Sequence, residues 1–121
     1  MNMFIKNLDD CPEFLAGDGT RLRELLHPAK EPLALRYSLA EARLAPGLTS
    51  LPHRLAASEV YYILEGAGEM NIDGESRPVG PGDTVYIPPG AIQFIKSTGE
   101  GELVFICIVD PAWRIEDEEI I

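Results

Sequence analysis

The residues of this chain best suited to chemistry gather around one histidine. His53 stands six residues before Glu59, and the stretch from Gly47 to Gly66 that carries both reads GLTSLPHRLAASEVYYILEG. An Ala45-Pro46-Gly47 turn precedes it, and the β-rich run Val60-Tyr61-Tyr62-Ile63-Leu64 follows Glu59. Side chains alternate faces along a strand, so Glu59, Tyr61 and Ile63 share one face. A carboxylate opening such an apolar run is either an exposed strand residue beside Ser58 or, if that face looks into a barrel, an inward one that needs a cation or hydrogen-bond donors. Imidazole nitrogen and carboxylate oxygen held on rigid strands make half of a divalent-metal site, for zinc, nickel, iron or manganese. Tyr61 either presents its hydroxyl to the same cavity or simply fills the interior. Arg54, the neighbour of His53, should point the opposite way into solvent.

These residues need strands and turns to hold them. A second stretch, Gly82 to Ser97, reads GDTVYIPPGAIQFIKS. It divides into a Gly80-Pro81-Gly82 turn, a strand at Asp83–Ile87, a Pro88-Pro89-Gly90 turn and a strand at Ala91–Lys96. Between the two stretches, Gly68–Ile72 and Glu75–Val79 flank Asp73-Gly74, a strong hairpin signal. Glu102–Val109, ELVFICIV, is apolar on both faces, as a strand buried on both sides would be. Its inward set is either Leu103, Phe105, Cys107 and Val109, or Val104, Ile106 and Ile108. Leu33–Ala45 alternates at Leu35, Tyr37 and Leu39 and then shifts phase near Ala40–Arg43, as a long strand with a bulge would. Its alanines and glutamate also suit a helix. Upstream, Met3–Leu8 reads as a short strand and Asp9–Gly19 as a loop. Thr20–Leu26 reads as one helical turn or, preferably, an extended edge strand ended by His27-Pro28. Ala112–Ile121 is a short acidic tail, open to a helix, with Trp113 packing back. Many short strands between Gly and Pro turns point to an all-β sandwich or barrel.

The two glycine-bounded stretches resemble the two motifs of the cupin superfamily. The first motif is a glycine, five residues, His-x-His, three or four residues, Glu, six residues and Gly. Gly47, His53, Glu59 and Gly66 match it, and Leu55 stands where the second histidine belongs. The second is a glycine, five residues, Pro-x-Gly, two residues, His and, after three more, Asn. Gly82, Pro88 and Gly90 match, with Gln93 in place of the histidine and Ser97 in place of the asparagine. The resemblance covers roughly residues 33 to 110. It implies one antiparallel cupin barrel, a double-stranded β-helix or jelly roll, over residues 1–121, with a short N-terminal strand and an acidic C-terminal tail.

It also implies a metal held by His53, Glu59 and Gln93 at a degenerate site. An amide oxygen is a weak, neutral ligand and lowers affinity for zinc, nickel or iron; it could instead bond a substrate or water. The chain has two histidines, so no three-histidine site forms within one subunit. His27 is the spare: it reads first as a surface histidine in a loop, and it reaches the site only if the N-terminal strand folds over the barrel mouth, its own or a partner's. Some small cupins place a cysteine of the last strand beside the metal, which makes Cys107 a pocket candidate; core packing is its other reading. Leu55, Tyr61, Cys107 and His27 therefore complete the candidate pocket. Cupins include dioxygenases, decarboxylases and isomerases, so one reading is a metal-dependent enzyme acting on a small molecule. The other is a metal-free module that binds or senses one. Fold does not choose between them.

Composition narrows the partners. The chain has 121 residues, 45% hydrophobic and 25% charged, which suits one soluble domain. A net charge of −10 without a basic stretch argues against nucleic acid and anionic membranes as partners. No run approaches the roughly 18 apolar residues of a membrane helix. The N-terminus lacks the long apolar core of a secretory signal, so a cytoplasmic location is expected. Cys11 and Cys107 lie far apart, outside any C-x-x-C pattern, and should stay reduced there. A small domain with a strand apolar on both faces is expected to pair as a homodimer.

Overall fold

The computed structural model describes residues 3–121. Turn chemistry cuts the chain into short strands. Asp73 and Gly74 take φ values of 49° and 88°, the left-handed pair of a tight hairpin turn. Gly66 has φ 85°, and a Cβ there would collide with the Glu102 carbonyl, so only glycine fits where β5 turns. In chain order the strands are β1 (Glu13–Leu15), β2 (Arg21–Leu26), β3 (Ser38–Leu44), β4 (His53–Leu55), β5 (Ser58–Glu65) and β6 (Gly68–Ile72). They continue with β7 (Glu75–Val79), β8 (Thr84–Ile87), β9 (Gln93–Ser97), β10 (Leu103–Asp110) and β11 (Glu118–Ile120). They form two antiparallel sheets, ordered β1-β2-β3-β10-β5-β8 and β11-β4-β9-β6-β7. This is the expected all-β jelly-roll barrel.

β10 lies between β3 and β5 and decides which side chains face inward. Its Phe105, Cys107 and Val109 pair in register with Ala42, Ala40 and Ser38 on one side. On the other they pair with Ile63, Tyr61 and Glu59. The inward set is thus the one containing Cys107; Ile106 and Ile108 sit half-buried on the outer face. Ile63, Ile87, Ile95, Leu103 and Phe105 are fully buried and fill one end of the interior. Each such side chain contributes about 1.5–3 kcal/mol by leaving water. Tyr61 and Phe105 pack with ring centroids 4.5 Å apart.

Four segments differ from the sequence expectation. Met3–Leu8 forms no strand; a 3-10 turn, Leu8–Asp10, follows, and Asn7 caps it by accepting from the Asp9 amide. The loop over Asp9–Gly19 contains β1, which pairs with β2 because β2 offers an open edge. In Leu33–Ala45 only Ser38–Leu44 is strand, and it keeps one phase, with Ser38, Ala40, Ala42 and Leu44 inward. The register shift lies instead between β2 and β3, at Glu24/Leu26. The tail makes one 3-10 turn, Ile115–Asp117, and then β11. Too short for a stable helix, it gains the backbone bonds offered by the edge of β4, with Glu118 opposite Leu55 and Ile120 opposite His53. Trp113 does pack back, against Leu55, Ala57 and Val109.

Candidate small-molecule site

The end of the interior opposite the packed core is hollow, because β3 turns small residues inward. Ser38 and Ala40 leave a cavity of about 260 Å³ that β1 and its following turn cover with Phe14, Leu15 and Asp18. Tyr61, Phe105 and Trp113 supply aromatic wall, and Leu55 and Val109 aliphatic wall.

His53, at the start of β4, is 2% exposed. Its Nδ1 donates to the Leu51 carbonyl at 2.8 Å, since a carbonyl can only accept. In the neutral ring Nε2 is then the acceptor, and it makes no hydrogen bond among the described residues. It lies 3.6 Å from Asp18 Oδ2. Asp18 is fixed through its other oxygen, which accepts from the Thr20 amide at 3.0 Å and the Thr20 hydroxyl at 2.7 Å. Glu59 enters the cavity from β5, and its Oε1 accepts from Gln93 Nε2 at 2.8 Å. Burial pushes the Glu59 carboxyl up to about 8; the Gln93 bond opposes this, and the Asp18 and Glu118 carboxylates add to it. At neutral pH Glu59 therefore mostly holds its proton.

Gln93 is fully buried behind the cavity. Its amide oxygen accepts from the Tyr61 hydroxyl at 3.0 Å while its amide nitrogen serves Glu59. Burial pushes the Tyr61 hydroxyl well up, so it stays a donor in this chain. Cys107 lines the cavity, and burial above all raises its thiol, which leaves it un-ionised and a poor nucleophile. Leu55 lines the cavity as carbon wall.

His27 is buried elsewhere. Its Nε2 donates to the Trp113 carbonyl at 2.7 Å and its Nδ1 accepts from the Ala29 amide at 3.0 Å. With both nitrogens used, it pins the C-terminal segment and does not reach His53. Arg54 is part-exposed on the other face, 3.5 Å from Glu119.

This donor set does not fit a resident divalent ion. Among the described residues no three His, Cys, Asp or Glu side chains converge as ligands, Leu55 offers carbon, and Gln93 spends its amide on Glu59 and Tyr61. Two acidic residues of the site escape sequence reasoning. Asp18 reads as half of an Asp-Gly turn, and Glu118 as one acid in an acidic tail. No spacing links either to His53. Glu118 arrives on β11 and accepts from Trp113 Nε1 at 3.0 Å.

A β-jelly roll with a partly open internal pocket defines a small barrel protein. The family model "Cupin domain" matches residues 40–109, and the chain belongs to the cupin family. An uncharacterised protein of Methanocaldococcus jannaschii is 38% identical over 122 residues, covering 100% of this chain and 97% of the relative. An oxalate-binding protein of Thermotoga maritima is 31% identical over 71 residues, 58% of this chain and 59% of that protein. The crystal structure of a cupin 2 conserved barrel domain protein from Salinispora arenicola superposes with a TM-score of 0.78 at 24% identity, covering 96% of this chain and 92% of that one. Cupins as a family bind or transform small molecules, often with a divalent metal. No helix among the described residues is long and apolar enough to cross a membrane.

Proposed function

We propose that this chain is a single cupin domain whose barrel binds a small organic molecule without a tightly held metal ion, as a binding or sensing module. One observation carries the reading: a cavity of about 260 Å³ with largely apolar walls, lined by His53, whose Nε2 makes no hydrogen bond among the described residues. Pockets for small molecules combine apolar walls with a few placed polar groups. The volume falls just below the roughly 300–1,000 Å³ of drug-sized sites, so the occupant is small. Oxalate is not carried over from the Thermotoga relative. A dianion needs cations, and Lys30, the lysine lining this cavity, is already paired with Glu24 at 2.6 Å.

The test uses untagged protein purified without nickel. Metal analysis should find no stoichiometric ion, and zinc, nickel, iron or manganese should leave the melting temperature unchanged. An ion bound to the folded state would raise stability by RT ln(1 + [L]/Kd), about 2.7 kcal/mol at a hundredfold excess. A stoichiometric ion, lost on His53→Ala or Glu59→Gln, would replace this reading with the metal-dependent one.

We also propose a cytoplasmic homodimer. The outer face of the six-stranded sheet aligns Ile108 with Val60 and Val60 with Tyr86 across neighbouring strands, beside part-exposed Tyr62. Apolar surface of that kind marks interfaces. Light scattering at micromolar concentration should give twice the 13.3 kDa chain mass; a monomer alone would refute it.

A further inference from the structure

The cavity carries more negative than positive groups. Glu24 and Lys30 at its rim neutralise each other. That leaves the carboxyl groups of Asp18, Glu59 and Glu118 facing the single imidazole of His53, with no arginine among the described residues lining the cavity. Each carboxyl receives donors from neutral groups only: the Thr20 amide and hydroxyl, the Gln93 amide and the Trp113 indole N–H. Acidic clusters are common on protein surfaces and often solvated. In this one Asp18 and Glu59 are buried, and they line the same pocket as a buried imidazole whose Nε2 makes no hydrogen bond among the described residues.

The opposition of His53 Nε2 and Asp18 Oδ2 is the informative contact. Because Nδ1 donates to Leu51, the neutral ring presents a lone pair from Nε2, and Asp18 Oδ2 is also an acceptor. With the ring neutral, two largely buried acceptors 3.6 Å apart call for a donor that reaches both. An ammonium group has several N–H bonds, no lone pair, and forms charge-assisted bonds of about 2.7–2.9 Å to such acceptors. The rest of the cavity suits the carbon part of such a ligand. Trp113, Tyr61 and Phe14 line it, and aromatic faces attract a desolvated cation.

Resting on the small-molecule reading above, we propose that the barrel recognises a small primary amine in its ammonium form, with the cation between Asp18 and His53 and its hydrocarbon part against Trp113. The raised Glu59 carboxyl agrees with this, since a buried acid beside two other carboxylates and no cation holds on to its proton. An ammonium ion would relieve that crowding.

Trp113, the chain's one tryptophan, lines the cavity and reports on occupancy through its fluorescence. Three probes of matched size and different charge separate the possibilities at neutral pH: benzylamine, benzyl alcohol and benzoate. Benzylamine should change Trp113 fluorescence saturably, at least tenfold more tightly than benzyl alcohol, and benzoate should give no saturable change. Asp18→Asn should weaken benzylamine about tenfold while leaving benzyl alcohol unchanged. The wild-type series stands alone if that variant folds poorly. Benzyl alcohol binding as tightly as benzylamine, or benzoate binding more tightly, would overturn the ammonium assignment and leave the pocket intact. No saturation by any probe would overturn the small-molecule reading along with it.

Discussion

The two ends of the barrel interior are built from the same strands and do opposite things. Toward one end, β5, β9 and β10 turn Ile63, Ile95 and Leu103 inward, and these side chains have no exposed surface. Toward the other, the same β5 and β10 contribute Glu59, Tyr61 and Cys107, opposite the small Ser38 and Ala40 of β3, and the space stays open. A strand pointing large side chains inward at one end and small or polar ones at the other can serve packing and binding together. Stability is concentrated where there is no room, and chemistry where there is room. The two histidines repeat the contrast. His27 has both nitrogens bonded and acts as a structural pin, whereas His53 has one bonded and one turned to the cavity.

That contrast can be broken at several points. The largest effect should come from the packed end. Ile63→Ala should cost about 2–5 kcal/mol, because it opens a void among well-packed neighbours. Urea unfolding measures it, and a loss below about 1 kcal/mol would mean the packed end is no tighter than the hollow one.

The hollow end should respond in the opposite direction. Glu59 has a folded-state value near 8, above the ordinary carboxylate value of about 4.3. Below both values the carboxyl is protonated folded or unfolded, and nothing is lost. Between them only the unfolded chain ionises, so wild-type stability should fall as pH rises from about 4.3 to about 8, by at most about 1.4 kcal/mol per pH unit. Glu59→Gln is uncharged throughout and keeps an amide oxygen for Gln93. Its stability relative to wild type should therefore grow across that window and vanish near pH 4. Denaturant melts at several pH values test this, and a pH-independent difference would remove Glu59 as the titrating group.

The histidines should separate more finely. His27→Ala leaves the part-buried Trp113 carbonyl and Ala29 amide without their partner and should cost about 1–3 kcal/mol. His53→Ala removes one bond, to the Leu51 carbonyl, and should cost about 1 kcal/mol. Thermal or chemical melts rank the two. The reverse order would mean that His53, not His27, is the pin.

How much of this was legible beforehand depended on whether the signal was local. The Asp73-Gly74 hairpin appears at the predicted bounds because a left-handed turn pair between two alternating runs encodes it within a few residues. Glu102–Val109 was legible as a strand from its continuous apolar run, although Ile106 and Ile108 on its outer face are only half-buried. The shared face of Glu59 and Tyr61 follows from alternation alone. The edges were not legible. β1 and β11 are three residues each, with burial patterns too exposed to announce a strand, and they exist because β2 and β4 present open hydrogen-bonding edges.

Local pattern and turn spacing were enough for the barrel, for Glu59 and Tyr61 sharing one face and for one histidine at the start of β4. It left two inward sets open for β10, and pairing with β3 and β5 chose the one with Cys107. The company His53 keeps comes from the closed fold. Asp18 comes from 35 residues upstream in the chain and Glu118 from a tail strand far downstream. Gln93 points inward behind the cavity lining and holds Glu59 and Tyr61. Hydrogen-bond partners so distant in sequence leave no periodic trace, because each is fixed by sheet order and by the cost of leaving a buried polar group unpaired. Those two constraints act only once the chain has closed.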